Sequence, residues 1–114
     1  MPYETGTVRM PEEMERTLAA LRVKFTEDVD SRILFFEAAI ADLRAGADMR
    51  ATARSIRDAA HGIAGLAPSL GFADVGAAAA ETEAAWEHVA AAPDGGQDLD
   101  AAIAALDTLL DRLE

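Results

Sequence analysis

Apolar residues recur at steps of three and four along most of the chain. Leu18, Leu21, Phe25, Val29, Ile33, Phe36, Ile40 and Leu43 form one series, and Met49, Ala53, Ile56, Ala60, Ile63, Ala67 and Leu70 form a second. Val75, Ala79, Thr82, Trp86 and Val89 form a third, and Leu99, Ile103, Leu106, Leu110 and Leu113 a fourth. A helix turns once in about 3.6 residues, so each series lies on one helical face. No stretch alternates apolar and polar residues with period two, and the pattern predicts no strand.

The residues between the series divide the chain. Pro11 suits a first helical position, with Glu12 and Glu13 in the electropositive first turn. Ala45-Gly46 follows Arg44 and closes the first long segment. Gly71 marks a turn within Ser69–Ala73, Pro93-Asp94-Gly95-Gly96 is the clearest loop, and Asp98 can start the last helix. The predicted helices run over 11–45, 48–69, 72–92 and 98–113. A break near Thr17–Leu21 would split off a short extra N-terminal helix before a long one. Four amphipathic helices with short connections predict an all-α fold, an antiparallel up-down-up-down four-helix bundle over 11–114 with a flexible N-terminal segment at 1–10. Alanine dominates the middle two stripes, so those helices can approach closely.

Composition narrows the chemistry. The 114 residues suit one domain, and they include 21 acidic against 10 basic side chains for a net charge of −11. Such a chain repels nucleic-acid phosphates and anionic lipid, so neither nucleic acid nor a membrane surface is an expected partner. No apolar run approaches the roughly 18 residues of a membrane span, and the Met-Pro-Tyr-Glu start lacks the basic, then apolar, order of a signal peptide. The absence of cysteine excludes disulfides, thiolate metal sites and cysteine nucleophiles, and fits a cytoplasmic location. Leu113-Glu114 reads equally as native sequence or as the remnant of a tag.

One stretch of the second helix is built against its own stability. Ala60–Phe72 reads AHGIAGLAPSLGF, with Gly62 and Gly65 around His61 and then Pro68. A mid-helix Gly costs about 1 kcal/mol relative to Ala and an interior Pro about 3 kcal/mol. His61 stands about 100° around the axis from the apolar stripe, on a face with Arg54, Arg57, Asp58, Ala64, Gly65 and Pro68. Its neighbours one turn on, Ala64 and Gly65, leave that side of the imidazole uncrowded. A single helical histidine is ordinarily an inert surface residue, but Gly65 weakens the helix without supplying a turn. His88 lies near the end of the third helix, where a cationic ring suits the dipole. Two histidines without clustered carboxylates do not make a metal site, and Trp86 and the methionines read as packing.

The order of these residues resembles the histidine-containing phosphotransfer (HPt) domain, a four-helix module of bacterial phosphorelays. The family pattern His-x-Leu-Lys-Gly, followed by small residues and then Leu-Gly or Phe-Gly, appears as His61-Gly62-Ile63-Ala64-Gly65 followed by Leu70-Gly71-Phe72. Helix order matches over about residues 18–113. In the family a Gln or Glu on the next helix faces the histidine, 22 residues on, and that position is Glu83; Glu81 is its near competitor. Two features depart from the family. Ala64 stands where the family has a lysine thought to help hold the phosphoryl group, and Pro68 removes a helical hydrogen bond to the Ala64 carbonyl. Arg57, or Arg54 a turn earlier, is the candidate replacement for the lysine charge.

The resemblance implies a mechanism. Imidazole is largely neutral near pH 7 and nucleophilic at one nitrogen while the other holds a proton. Glu83 would accept a hydrogen bond from Nδ1–H of His61, leaving Nε2 to carry a phosphoryl group to or from an aspartate of a response-regulator receiver domain. The chain has no Gly-rich phosphate loop and no nucleotide motif, so it reads as a phosphotransfer intermediate without an ATP site rather than a self-sufficient kinase. It brings no cofactor of its own; the receiver would bring the aspartate, a lysine and Mg²⁺. A sensor or chemotaxis-type histidine kinase is the other implied partner, with this chain either free-standing or an excised kinase domain. Gly65, Ala64, Leu66 and Phe72 are the candidate docking residues, Phe72 more readily a packing residue than Leu66. The competing expectation is a helical adaptor, or a pseudo-phosphotransfer bundle, that binds signalling partners without being phosphorylated. Ala64 keeps it open.

Overall fold

The computed structural model describes residues 11–92 and 98–114. The expected flexible segment 1–10 and the Pro93–Gly96 loop lie outside the described residues. Among the described residues the chain is all-α. Its helices are α1 (Glu12–Glu27), α2 (Val29–Arg44), α3 (Met49–Leu66), α4 (Ala73–Ala91) and α5 (Leu99–Leu113), with a 3₁₀ turn at Pro68–Leu70 between α3 and α4.

The N-terminal helix is separate, as the sequence allows, but the break lies at Asp28 and not at Thr17–Leu21. Nothing in Thr17–Leu21 interrupts a helix: the Thr17 hydroxyl donates back to the Glu13 carbonyl at 3.0 Å and is satisfied in place. Asp28 itself stays near helical geometry, its N–H bonded to the Lys24 carbonyl at 3.0 Å, so the chain passes from α1 into α2 without a loop. Pro11 caps α1 rather than occupying its first position.

Other boundaries follow local chemistry. Gly46 closes α2 at φ +97°, in the left-handed region open to glycine. Asp48 caps α3, its carboxylate accepting from the Ala51 N–H at 2.9 Å. The expected helix over 48–69 stops instead at Leu66, because Pro68 has no N–H to continue it; the Pro68–Leu70 turn then ends on Gly71 at φ +92°. Asp98 stands at the start of α5 but makes no side-chain capping bond.

The stripes read from the sequence meet in one core. Ala53, Ile56, Ala60, Ile63 and Ala67 of the second stripe and Val75, Ala79, Thr82, Trp86 and Val89 of the third are buried. The fourth stripe is rotated from its expected centre: Ala102, Leu106, Leu109 and Leu113 are buried, while Leu99, Ile103 and Leu110 are partly so. The alanines of α3 and α4 let these helices pack most extensively, and α4 also packs on α5; α2 touches both α3 and α5. The Thr82 hydroxyl lies 2.8 Å from the Ala78 carbonyl and 3.1 Å from that of Ala105, tying α4 to α5. Among the described residues α1 packs on α2 and on the Pro68–Leu70 turn with the Phe72 that follows it. There Phe25 stacks on Phe72 at 5.1 Å, and Arg22 Nε donates to the Leu70 carbonyl at 2.9 Å. The molecule measures 65 × 26 × 20 Å. Its long dimension far exceeds the about 28 Å of its longest helix. Met14 is exposed, against the expectation that the methionines pack.

Candidate functional site

α3 and α4 run antiparallel, and their facing edges form a ladder of polar pairs. As residue number rises along α3 it falls along α4. Arg50 donates to the Ala92 carbonyl, Arg57 meets Glu87, and His61 meets Glu83. Each rung sets a cationic or ionisable group of α3 against an oxygen of α4. The partner of His61 is thus fixed by the register of two alanine-rich helices packed closely enough for short side chains to meet.

His61 Nδ1 lies 2.8 Å from Glu83 Oε2. A carboxylate has no proton to give, so the hydrogen of this bond sits on Nδ1 and the lone pair of the neutral ring is on Nε2. Nε2 has no hydrogen-bond partner among the described residues. The His61 side chain is 74% exposed and that of Glu83 33%. The ring is therefore held from one side and open on the other. Glu81, one residue before the buried Thr82, is exposed and does not bond His61.

The ring's surroundings are bare. A methyl group placed on Gly62 or on Gly65 would meet nothing within 4 Å. Neither glycine is needed for close packing against the described residues, so the stability they sacrifice has no return there. Ala64 is partly buried against the core. Leu66 is exposed, whereas Phe72 is half-buried in its stack on Phe25. The four candidate docking residues therefore divide: Gly65 and Leu66 are exposed, and Ala64 and Phe72 are turned toward packing.

Pro68 finds its explanation in the fold. Its ring sits against Gly76 of α4, a buried helical glycine whose added Cβ would fall 2.8 Å from Pro68 Cδ and closer still to Cγ. Sequence reasoning passed over Gly76. The signal was a helical glycine amid alanines eight residues after a proline, and only the fold shows that the two touch.

Among the described residues no cationic side chain bonds the open nitrogen. Arg57, one turn before His61, donates from Nε to Asp58 at 3.0 Å and from a terminal nitrogen to Glu87 at 3.0 Å. Those bonds, chiefly the one to Asp58 and then that to Glu87, raise the guanidinium pKa above its usual value and keep it charged. Arg54 is exposed. Among the described residues no cluster of three metal-ligating side chains occurs, and no helix is long and apolar enough to cross a membrane. His88 is exposed in the last turn of α4.

Searches of the chain against family models, curated proteins and solved structures found no match.

Proposed function

We propose that this chain is a histidine phosphotransfer protein of the HPt type, with His61 as the phosphorylated residue. The reading takes α2–α5 as the antiparallel four-helix bundle of that family, with α1 as an added N-terminal helix. Contacts of α2 with both α3 and α5 support a closed arrangement of the four. The observation that carries the reading is the His61–Glu83 pair: an imidazole held at Nδ1 by a carboxylate at 2.8 Å, exposed at Nε2, beside two glycines the fold does not use.

The chemistry is a reversible transfer. The Nε2 lone pair attacks the phosphorus of an aspartyl phosphate on a receiver domain. The phosphorus–oxygen bond to that aspartate breaks, and the carboxylate leaves with its electron pair. The ring, which keeps its hydrogen on Nδ1, gains positive charge as the N–P bond forms, and Glu83 stabilises it there. Mg²⁺ and a lysine on the receiver neutralise the phosphoryl oxygens. Gly62 and Gly65 let the receiver's acceptor site close on the ring, and Leu66 offers it an apolar contact. Transfer of this kind depends on in-line positioning and charge neutralisation more than on covalent work by the protein.

A second reading rests on a specific observation. With Ala64 in the family lysine position and Arg57 bonded to Asp58 and Glu87, the site lacks a resting cation at the open nitrogen. That arrangement suits an adaptor which binds signalling partners without carrying phosphate. Incubation with a receiver domain phosphorylated by a small-molecule donor separates the two. Acid-labile, alkali-stable label that appears on the chain and is lost in His61→Gln supports phosphotransfer. Receiver binding without label supports the adaptor.

A further inference from the structure

α1 carries an apolar stripe that the rest of the chain uses only in part. Met14, Leu18, Leu21 and Phe25 follow one another at steps of four, three and four, the core spacing of a helix that pairs with another helix. Phe25 is used within the chain: it is buried, stacked on Phe72, with the Arg32 guanidinium 4.9 Å from its ring centre. Leu18 is partly buried beside it. Leu21, between the two, is 42% exposed, and Met14, one turn before Leu18, is 52% exposed. α1 touches neither α3, α4 nor α5, so none of those helices covers Leu21 or Met14.

We propose that both are covered by α1 of a second copy, paired antiparallel. The charges beside the stripe select that occupant. Glu12, Glu13 and Glu15 outweigh Arg16 in the first half of α1, and Arg22 and Lys24 outweigh Glu27 in the second. Glu15 directly follows Met14 and Arg22 directly follows Leu21, so both flank the same edge of the stripe. An antiparallel register that sets Leu18 against the second copy's Leu21 also sets Glu15 against the second copy's Arg22, and symmetry makes each contact twice. A parallel pair would instead lay acidic half on acidic half. Arg22 spends only Nε on Leu70, which leaves its terminal nitrogens for this role. Three side chains per copy bury less than the about 1,200 Å² of a firm interface, so the dimer is weak and reversible, with a dissociation constant on the order of 100 µM. The inference does not depend on the phosphotransfer reading.

Sedimentation of the full chain from about 10 µM to about 1 mM tests it. The expected result is a monomer that passes to a dimer over this range, and a more than tenfold weaker dimer for Leu21→Glu with unchanged helical content. Orientation is read separately. The chain has no cysteine, so Glu12→Cys takes one spin label per copy. Antiparallel pairing places the two labels about 25 Å apart and parallel pairing about 10 Å. A chain that stays monomeric throughout, a Leu21→Glu variant that dimerises as well as the parent, or the shorter label distance each overturns the proposal; the first would assign the stripe to a different protein.

Discussion

Gly76→Ala offers the sharpest test of the packing that ends α3. An alanine in a helix interior is favoured over glycine by about 1 kcal/mol, so at an ordinary position of α4 the substitution would stabilise the protein. At this position the new Cβ would lie 2.8 Å from Pro68 Cδ, and nearer still to Cγ, against an ordinary contact of at least 3.4 Å. A pyrrolidine ring is closed onto its own backbone and cannot swing aside as a flexible side chain does. The accommodation has to come from the Pro68–Leu70 turn or from α4. Overpacking of this kind costs about 1–3 kcal/mol, and against a closed ring the upper part of that range, about 2–3 kcal/mol, applies, so the net effect is a loss of about 1–2 kcal/mol after the helix preference is subtracted. For a chain of this length that lowers the melting temperature by about 4–8 °C. The sign should reverse when the ring is absent. In a Pro68→Ala background the two clashing atoms are gone, and the remaining neighbour, the residue 68 nitrogen, lies at 3.5 Å. There Gly76→Ala should stabilise by up to about 1 kcal/mol, which makes a coupling between the two sites of about 2–3 kcal/mol. Thermal and urea unfolding of the four chains, followed by far-ultraviolet circular dichroism, measures the cycle. A Gly76→Ala protein as stable as the parent, or an equal effect in both backgrounds, would refute the claim that Pro68 and Gly76 pack as a unit.

Three further substitutions probe the site and its support. Glu83→Ala should slow transfer from a phosphorylated receiver roughly tenfold and leave the melting temperature nearly unchanged, since an exposed pair adds little to stability while a charge-assisted bond to a ring that gains charge counts in the rate. Glu83→Gln, which keeps an acceptor, should fall between, and equal rates for all three chains would remove Glu83 from the mechanism. Gly65→Leu should fold at least as well as the parent, because its Cβ enters open space, yet weaken receiver affinity at least tenfold in a binding titration; unchanged affinity would count against docking across this turn. Asp48→Ala removes the carboxylate that accepts from the Ala51 N–H at 2.9 Å, and should lower stability by about 1 kcal/mol in urea without altering transfer; a loss below a few tenths would mean that water replaces the cap.

Much of this protein is written in its local pattern. The alanine-rich stripes of α3 and α4 were legible because a buried helical face repeats at 3.6 residues whatever it packs against, and nearly every residue placed on them is buried. Gly46, Asp48 and Gly71 mark their boundaries because a positive φ and an unpaired N–H are needs of the backbone alone. His61 stood out in the same way, since glycines that weaken a helix without turning it need a cause outside that helix. What the pattern did not contain was the third dimension of each choice. Thr17–Leu21 and Asp28 are equally unremarkable as sequence, and the division falls at Asp28, close to where Phe25 docks on Phe72. Arg57 had as good a local claim as any residue to the open nitrogen, but the register of α4 brings Glu87 within reach and engages it. Pro68 looked like damage to a helix until Gly76 was found beneath its ring. Periodicity fixes which face of a helix turns inward, because that depends on one chain segment and on water. Which side chains then meet across two helices depends on their relative height and rotation, and only the packed core sets those.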